Sequence, residues 1–234
     1  MLAFVDDDVA VDPAWLHNLT ASLHNSEWAG VGGRTLPTRG FSFPPWFLPD
    51  SAGILCAYFD LGDAPCEIFQ APYGANMAFR KEMFEKYGGF RTDMGPSPDQ
   101  DIPRPNEDTE FGRRLMAAGE RLRYEPLALV RHPTLQDRLN KNYFLKWWFD
   151  HGRASVREYD GKPDILGIPR RYLSLIKHGT VLMLVNVLRW QVTLNSQMRF
   201  YRKCWAWMTA GATAKLYRSS FSVKKSGPIV NGAS

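Results

Sequence analysis

Cysteine is scarce in this chain: three residues in 234, Cys56, Cys66 and Cys204. Their odd number and the lack of any CxxC pair exclude a disulfide framework and a cysteine-type zinc site, leaving unpaired thiols suited to a reducing compartment. Long apolar runs are lacking too. Thr180 to Val185 is broken further on by Asn186 and Arg189, whereas crossing a bilayer takes about 20 apolar residues. No secretory signal is expected, because Asp6 to Asp8 interrupt the apolar start. Internal repeats and low-complexity tracts are absent. A disordered composition is excluded as well, since 44% of the residues are hydrophobic and 13% aromatic, enough to build a core.

Acidic residues become rare in the second part of the chain. Residues 138–234 hold 17 Lys and Arg against 4 Asp and Glu, a net +13, while residues 1–137 hold 12 against 20, a net −8. The overall +5 therefore conceals two parts with different partners. The acidic part can hold a cation, and the basic part can meet anionic lipid, phosphate or nucleic acid. No nucleic-acid recognition motif accompanies the charge, which sets nucleic acid aside.

Against that background the opening segment Phe4-Val5-Asp6-Asp7-Asp8 stands out. It reads as a buried strand that ends in carboxylates, and in open α/β sheets ligands gather at such strand ends. Strand alternation predicts Asp6 and Asp8 on one face and Asp7 on the other. Two carboxylates so placed suit Mg²⁺ or Mn²⁺. The plainer alternative is an acidic turn that caps the next helix.

The pattern predicts a helix after Asp12-Pro13, with Trp15, Leu16, Leu19 and Leu23 on its apolar face, and a short strand from Trp28 to Gly33. Pro37, Pro44, Pro45, Pro49 and Pro65 mark residues 35–65 as a long loop of the kind that forms lids. Ala71 to Phe79 is short and apolar around Gly74. A helix over Arg80–Tyr87 is closed by Gly88-Gly89. Residues 91–105 are polar, rich in proline and expected to be mobile. Asn106 is expected to cap a helix from Glu107 to Ala118 closed by Gly119. Arg121 to Val130 predicts a strand, with His132 just past its end. Basic, aromatic-rich helices follow over about 139–159, 170–190 and 196–218.

Glu107 and Asp108 open a helix, where the dipole favours carboxylates. Either serves helix stability or one acts as a base. His132 is either a backbone-bonded histidine or a metal ligand, acceptable to Mn²⁺ and less suited to Mg²⁺. Arg113 and Arg114 either meet phosphate or pair with Glu110 and Glu120.

The segments FVDDDV, YGANMAFRKEMFEKYGGF, NEDTEFGRRLMAAG and RLRYEPLALVRHP run almost continuously over residues 2–133. In this order they resemble the family 2 glycosyltransferases of the GT-A fold. The resemblance implies an α/β fold: a partial GT-A (Rossmann-like) mixed sheet flanked by helices in residues 1–137, followed by a basic helical region over 138–234. It also implies transfer of a sugar from a nucleotide-diphosphate sugar to the hydroxyl of a saccharide or lipid-linked acceptor, in polysaccharide or glycolipid synthesis. A divalent cation, Mn²⁺ or Mg²⁺, is the implied cofactor.

By the same resemblance Asp6 and Asp8 match the DxD motif, with Asp8 on the metal and Asp6 on metal water or ribose. His132 completes the metal shell. Asp108 is the general base, Glu107 supports it or touches the acceptor, and Gly74, Ala75 and Asn76 lie beside donor and acceptor. A single visible base points to inversion. For the basic tail, Trp147, Trp148, Trp190, Trp205 and Trp207 among Lys and Arg suit an anionic membrane face or a polyprenyl-phosphate acceptor. The alternative is a bundle that packs these rings on the catalytic sheet. The expected location is cytoplasmic, peripheral on the inner face of the cell membrane.

The family places a nucleotide-binding half before the DxD strand, and in this chain five residues precede Asp6. The expectation is a chain lacking that half, with in-frame coding sequence for it upstream, and a sheet with an open edge and an exposed apolar face. Two other functions compete. One is an inactive, membrane-associated remnant. The other is a DxD phosphatase of the haloacid dehalogenase type, for which Ala10 stands where Thr or Val is wanted and no GDxxxD-like partner follows.

Overall fold

The computed structural model describes residues 1–24, 26–48, 53, 57–92, 94, 107–135, 138–158 and 170–222. It divides into two compact units, Met1–Asn140 and Lys141–Ser234. The expected cap Asn106, most of the polar stretch 91–105, and Cys56 lie outside the described residues.

The first unit is a curled mixed sheet flanked by helices, compatible with a partial Rossmann-like fold. Its strands are β1 (Leu2–Val5), β2 (Ala10–Val11), β3 (Gly30–Pro37), β4 (Cys66–Ile68), β5 (Asn76–Phe79) and β6 (Leu122–His132). The order is β1-β5-β3-β6-β2, and β4 also pairs with β6. Among the described residues β3 and β6 run parallel, and the other pairs are antiparallel. Among the described residues the unit also has helices α1 (Trp15–Ala21), α2 (Lys81–Tyr87) and α3 (Glu107–Ala117).

Strand alternation sorts the core into two layers. On β5, Met77 and Phe79 enter a cluster with Phe111, Leu115, Leu122 and Tyr124. Ala78 faces the other way, to Leu19, Leu23, Val31 and Ala128. The first layer is aromatic. Phe111 of α3 stacks on Phe84 of α2 at 4.5 Å and meets Phe79 at 5.0 Å and Phe90 at 5.2 Å. Phe4 of β1 meets Phe84 at 5.9 Å and Phe90 at 5.2 Å. One cluster thus holds β1, β5, α2 and α3 together.

Several expectations need correction. The opening strand is not buried: β1 lies at the end of the strand order, and Leu2 and Val5 are 40% and 41% exposed. Strand β6 runs two residues beyond Val130, so His132 is its last residue rather than a residue past it. One end of the stretch expected to form a lid is tied to β3. Phe59 exchanges backbone hydrogen bonds with Thr35, and Arg34 holds Asp60 at 2.9 Å and Asp63 at 2.8 Å. Helices α2 and α3 end as expected, at Gly88 and near Gly119, both with positive φ that glycine adopts without strain.

Strand β6 contains a pronounced bulge. From Gly33 to Thr35 on β3, the partner on β6 advances from Glu125 to Val130. Pro126 sits at its start, where a missing N–H leaves no ladder bond to lose.

The second unit contains α4 (Lys141–Glu158), α5 (Arg170–Val192) and α6 (Ser196–Ser222), with α6 packed on both others. Backbones of α4 and α6 approach closely at Gly152 and Gly211, where a Cβ would collide with the carbonyls of Met208 and Phe149. Aromatic side chains pack helix on helix: Phe144 on Phe200, and Trp148 on Tyr201 and Trp205. No helix among the described residues is long and apolar enough to cross a membrane.

Phe111 is fully buried at the centre of the aromatic cluster. Phe111→Ala is expected to destabilise the first unit by about 3–5 kcal/mol, the range for truncating a buried phenylalanine. A denaturant titration followed by circular dichroism measures it.

Candidate functional site

The residues around the sheet's carboxyl edge come together through strand pairing. β1 ends at Val5, so Asp6, Asp7 and Asp8 occupy the connection to β2. β2 then docks antiparallel on the end of β6, Ala10 opposite Arg131 and Val11 opposite Val130. This pairing carries Asp6 and Asp8 to His132. Its Nε2 lies 3.4 Å from Asp6 Oδ2 and 3.8 Å from Asp8 Oδ1. Convergence of the two acids therefore comes from the turn and the β2–β6 register, not from alternation along one strand.

The group Asp6, Asp8 and His132 could hold a metal ion, since one ligand atom from each lies within 4.8 Å of the others. Oxygens about 2.1 Å from one ion are at most about 4.2 Å apart. Three ligand atoms cannot all lie opposite one another, so the two half-exposed carboxylates and the imidazole must draw closer together to share an ion. The imidazole is also set for ligation. A carbonyl only accepts, so the 2.8 Å contact between His132 Nδ1 and Pro133 O places a proton on Nδ1. Nε2 is left facing the carboxylates.

In the ion-free site the His132 pKa is raised above its ordinary 6.5. The hydrogen bond to Asp6 is the largest cause. Burial opposes it, and the Pro133 carbonyl and the charges of Asp8 and Asp6 add to it. A proton on Nε2 takes the place that a cation would fill between the acids.

Asp108 stands in the first turn of α3, and two backbone donors orient its carboxylate. Gly74 N–H donates to Oδ2 at 2.7 Å, and Thr109 N–H donates to Oδ1 at 2.6 Å. A cleft of about 380 Å³ is lined by Ala3, Phe4, Val5, Asp6, Gly74, Met77, Phe90, Glu107 and Asp108. It joins the Asp6, Asp8 and His132 group, through Asp6, to Asp108 and Glu107. Of the expected small-residue trio, Gly74 alone lines this cleft.

Ala75 and Asn76 differ from expectation. Ala75 is buried at 2% exposure. Asn76 shares the face of Ala78 on β5, and so turns to the α1 layer. Its Oδ1 accepts from Trp15 Nε1 at 2.8 Å, and its Nδ2 donates to the carbonyls of Arg34 and Ala128 at 3.0 and 2.8 Å. The amide is spent on joining α1, β3 and β6. Arg114, a candidate phosphate ligand, instead pairs with Glu110 at 2.8 Å and donates to the carbonyls of Tyr87 and Gly89, tying α3 to the end of α2.

Sequence reasoning missed Phe90, Met77 and Tyr73. Phe90 follows the Gly88-Gly89 helix stop, and Met77 alternates with Asn76, a parity that a four-residue strand gives little means to phase. Tyr73 is the neighbour of Gly74; burial raises its phenol pKa, and the nearby Asp108 charge adds to this. Tyr73 and Thr109 line a second cavity of about 260 Å³ with Phe69, Gln70, Ala71, Arg113 and Met116.

No protein-family model matches the chain. Over 152 residues it is 26% identical to the glucosyl-dolichyl phosphate glucuronosyltransferase of Haloferax volcanii, covering 63% of this chain and 48% of that protein. The chain thus spans about half the length of the curated relative it matches. The similarity is to a protein named as a glycosyltransferase.

Two measurements probe these contacts. The His132 imidazole, followed by NMR in metal-free protein, should titrate above 6.5, and Asp6→Asn should lower that midpoint. Because the folded pKa is the raised one, His132 stabilises the metal-free fold fully below its unfolded pKa. That contribution is lost as pH rises through the folded value. Asn76→Ala strands the carbonyls of Arg34 and Ala128 and is expected to cost about 2–4 kcal/mol in thermal or chemical unfolding.

Proposed function

We propose that this chain carries the metal-holding and base-bearing part of a glycosyltransferase that moves a sugar from a nucleotide-diphosphate donor to an acceptor hydroxyl. The observation that carries this reading is the cleft shared by Asp6 and Asp108, with His132 and Asp8 gathered on Asp6. The similarity to a named glucuronosyltransferase supports the same class of chemistry.

Asp6, Asp8 and His132 Nε2 would hold a divalent cation, Mn²⁺ being better matched to the imidazole than Mg²⁺. A dication held there would supply Lewis-acid neutralisation of the charge on a departing diphosphate. Gly74 N–H and Thr109 N–H aim the Asp108 carboxylate, which takes the proton of the acceptor hydroxyl. The acceptor oxygen then bonds to the anomeric carbon as the carbon–oxygen bond to the diphosphate breaks. One base acting in a single displacement gives inversion. Glu107 lines the cleft beside Asp108, where it meets the acceptor. Met77, Phe4 and Phe90 supply apolar walls that limit water around the base.

The acceptor on this reading is a saccharide or a lipid-linked sugar, and the product belongs to polysaccharide or glycolipid synthesis. A carboxylate oriented by two backbone donors in the cleft that Asp6 also lines supports this reading over the DxD phosphatase.

Two variants test the assignment. Asp8→Ala should weaken Mn²⁺ binding, read by electron paramagnetic resonance, at least about tenfold, the scale for losing a metal-site residue. Mn²⁺ affinity of the unaltered chain should rise with pH as His132 loses its competing proton. Asp108→Asn should leave Mn²⁺ binding intact and lower turnover of a nucleotide sugar by about 10²–10⁴. Undiminished turnover in Asp108→Asn overturns the role of the base, and unchanged Mn²⁺ binding in Asp8→Ala overturns that of the metal ligand.

A further inference from the structure

The second unit presents an apolar stripe that none of the cleft chemistry uses. Along α5, Val181, Leu184, Leu188 and Val192 are 53%, 54%, 65% and 72% exposed. At 100° per residue they fall within an arc of about 80° on one side of the helix. The opposite side is taken. A Cβ on Gly179 would sit 2.8 Å from Thr213 Oγ1 of α6, and Trp190 meets Trp207 of α6 at 6.1 Å. Leu194, just beyond the helix, is 99% exposed. A continuous apolar face of this kind marks an interaction surface.

Charge selects the partner. Residues 165–234 contain 11 Lys and Arg and no Asp or Glu. Lys177 opens the stripe on its own side of the helix, and Arg189 flanks it; both are exposed. A second copy placed face to face would oppose these cations, and α5 itself carries no carboxylate to offset them. A nucleic acid needs cations where the stripe is aliphatic. An anionic bilayer satisfies both features: aliphatic side chains enter the headgroup–acyl boundary while lysine and arginine stay among the phosphates. The apolar arc is one-sided, so the fitting orientation is in the plane of the membrane.

We propose that the outward face of α5, Val181–Leu184–Leu188–Val192, docks this chain on an anionic lipid bilayer with the helix lying in the interface. The proposal stands apart from the sugar-transfer reading, and its test uses no nucleotide or metal.

The full chain is sedimented with vesicles of phosphatidylcholine, with and without phosphatidylglycerol. Binding is expected to the anionic vesicles and to weaken as salt is raised. The double variant V181D/L188D should lose about tenfold or more in partitioning, with an unchanged melting temperature because both positions are exposed. V181T/L188N trims the stripe without adding charge and should fall in the same direction, which keeps the test valid if the aspartate pair fails to fold. Four results would each overturn the proposal. They are equal binding to neutral vesicles, undiminished binding of both double variants, a dimer in sedimentation equilibrium that V181D/L188D splits without any vesicle binding, and RNA binding in place of vesicle binding.

Discussion

The stack of Phe111 on Phe84, ringed by Phe4, Phe79 and Phe90, is the contact on which the cleft depends. Its rings come from β1, β5, α2, α3 and the segment after α2, so each of these elements is placed relative to the others through one set of van der Waals surfaces. Edge-to-face and offset pairs of this kind tolerate little displacement before their gain is lost. The carboxylate of Asp6 follows one residue after the end of β1, and Asp108 opens the helix that carries Phe111. The two walls of the cleft are therefore set by an apolar interaction that touches neither acid.

Electrostatics then refine what packing has placed. Two carboxylates and an imidazole within 4.8 Å are unfavourable unless a positive charge lies among them. A protonated His132 supplies it, with the Nδ1 proton donated to Pro133 O and Nε2 directed toward Asp6. Asp108 is served differently, by neutral backbone donors that keep it oriented without cancelling its charge. On the proposed reading, Asp6 and Asp8 receive a cation and Asp108 receives a proton.

Much of this was legible in the residues. The order of Asp6–Asp8, Glu107–Asp108 and His132, the helix stops at Gly88 and Gly119, and the change of character near residue 138 all stand in the chain itself. The mixed α/β sheet followed by helices agrees with that reading. What escaped it depended on parity and on partners distant in sequence. Nothing local tells that Asn76, rather than Met77, turns toward Trp15 of α1. Nothing local tells that a two-residue strand, Ala10–Val11, pairs with Val130 and Arg131. Arg114 was ambiguous because an arginine at this spacing from Glu110 suits an ion pair as well as a phosphate, and the carbonyls at the end of α2 decide the matter.

The bulge in β6 makes one strand behave as two. Leu122–Tyr124 is zipped between β3 and β4, inside the core, while Val130 and Arg131 are zipped between β3 and the short β2, and His132 pairs with Pro37 of β3. Pro126 and the residues after it break the ladder that would otherwise make the halves open together. The two halves therefore hold their pairings through separate ladders, and Asp8 and His132 go with the outer one, where Val130 is fully buried.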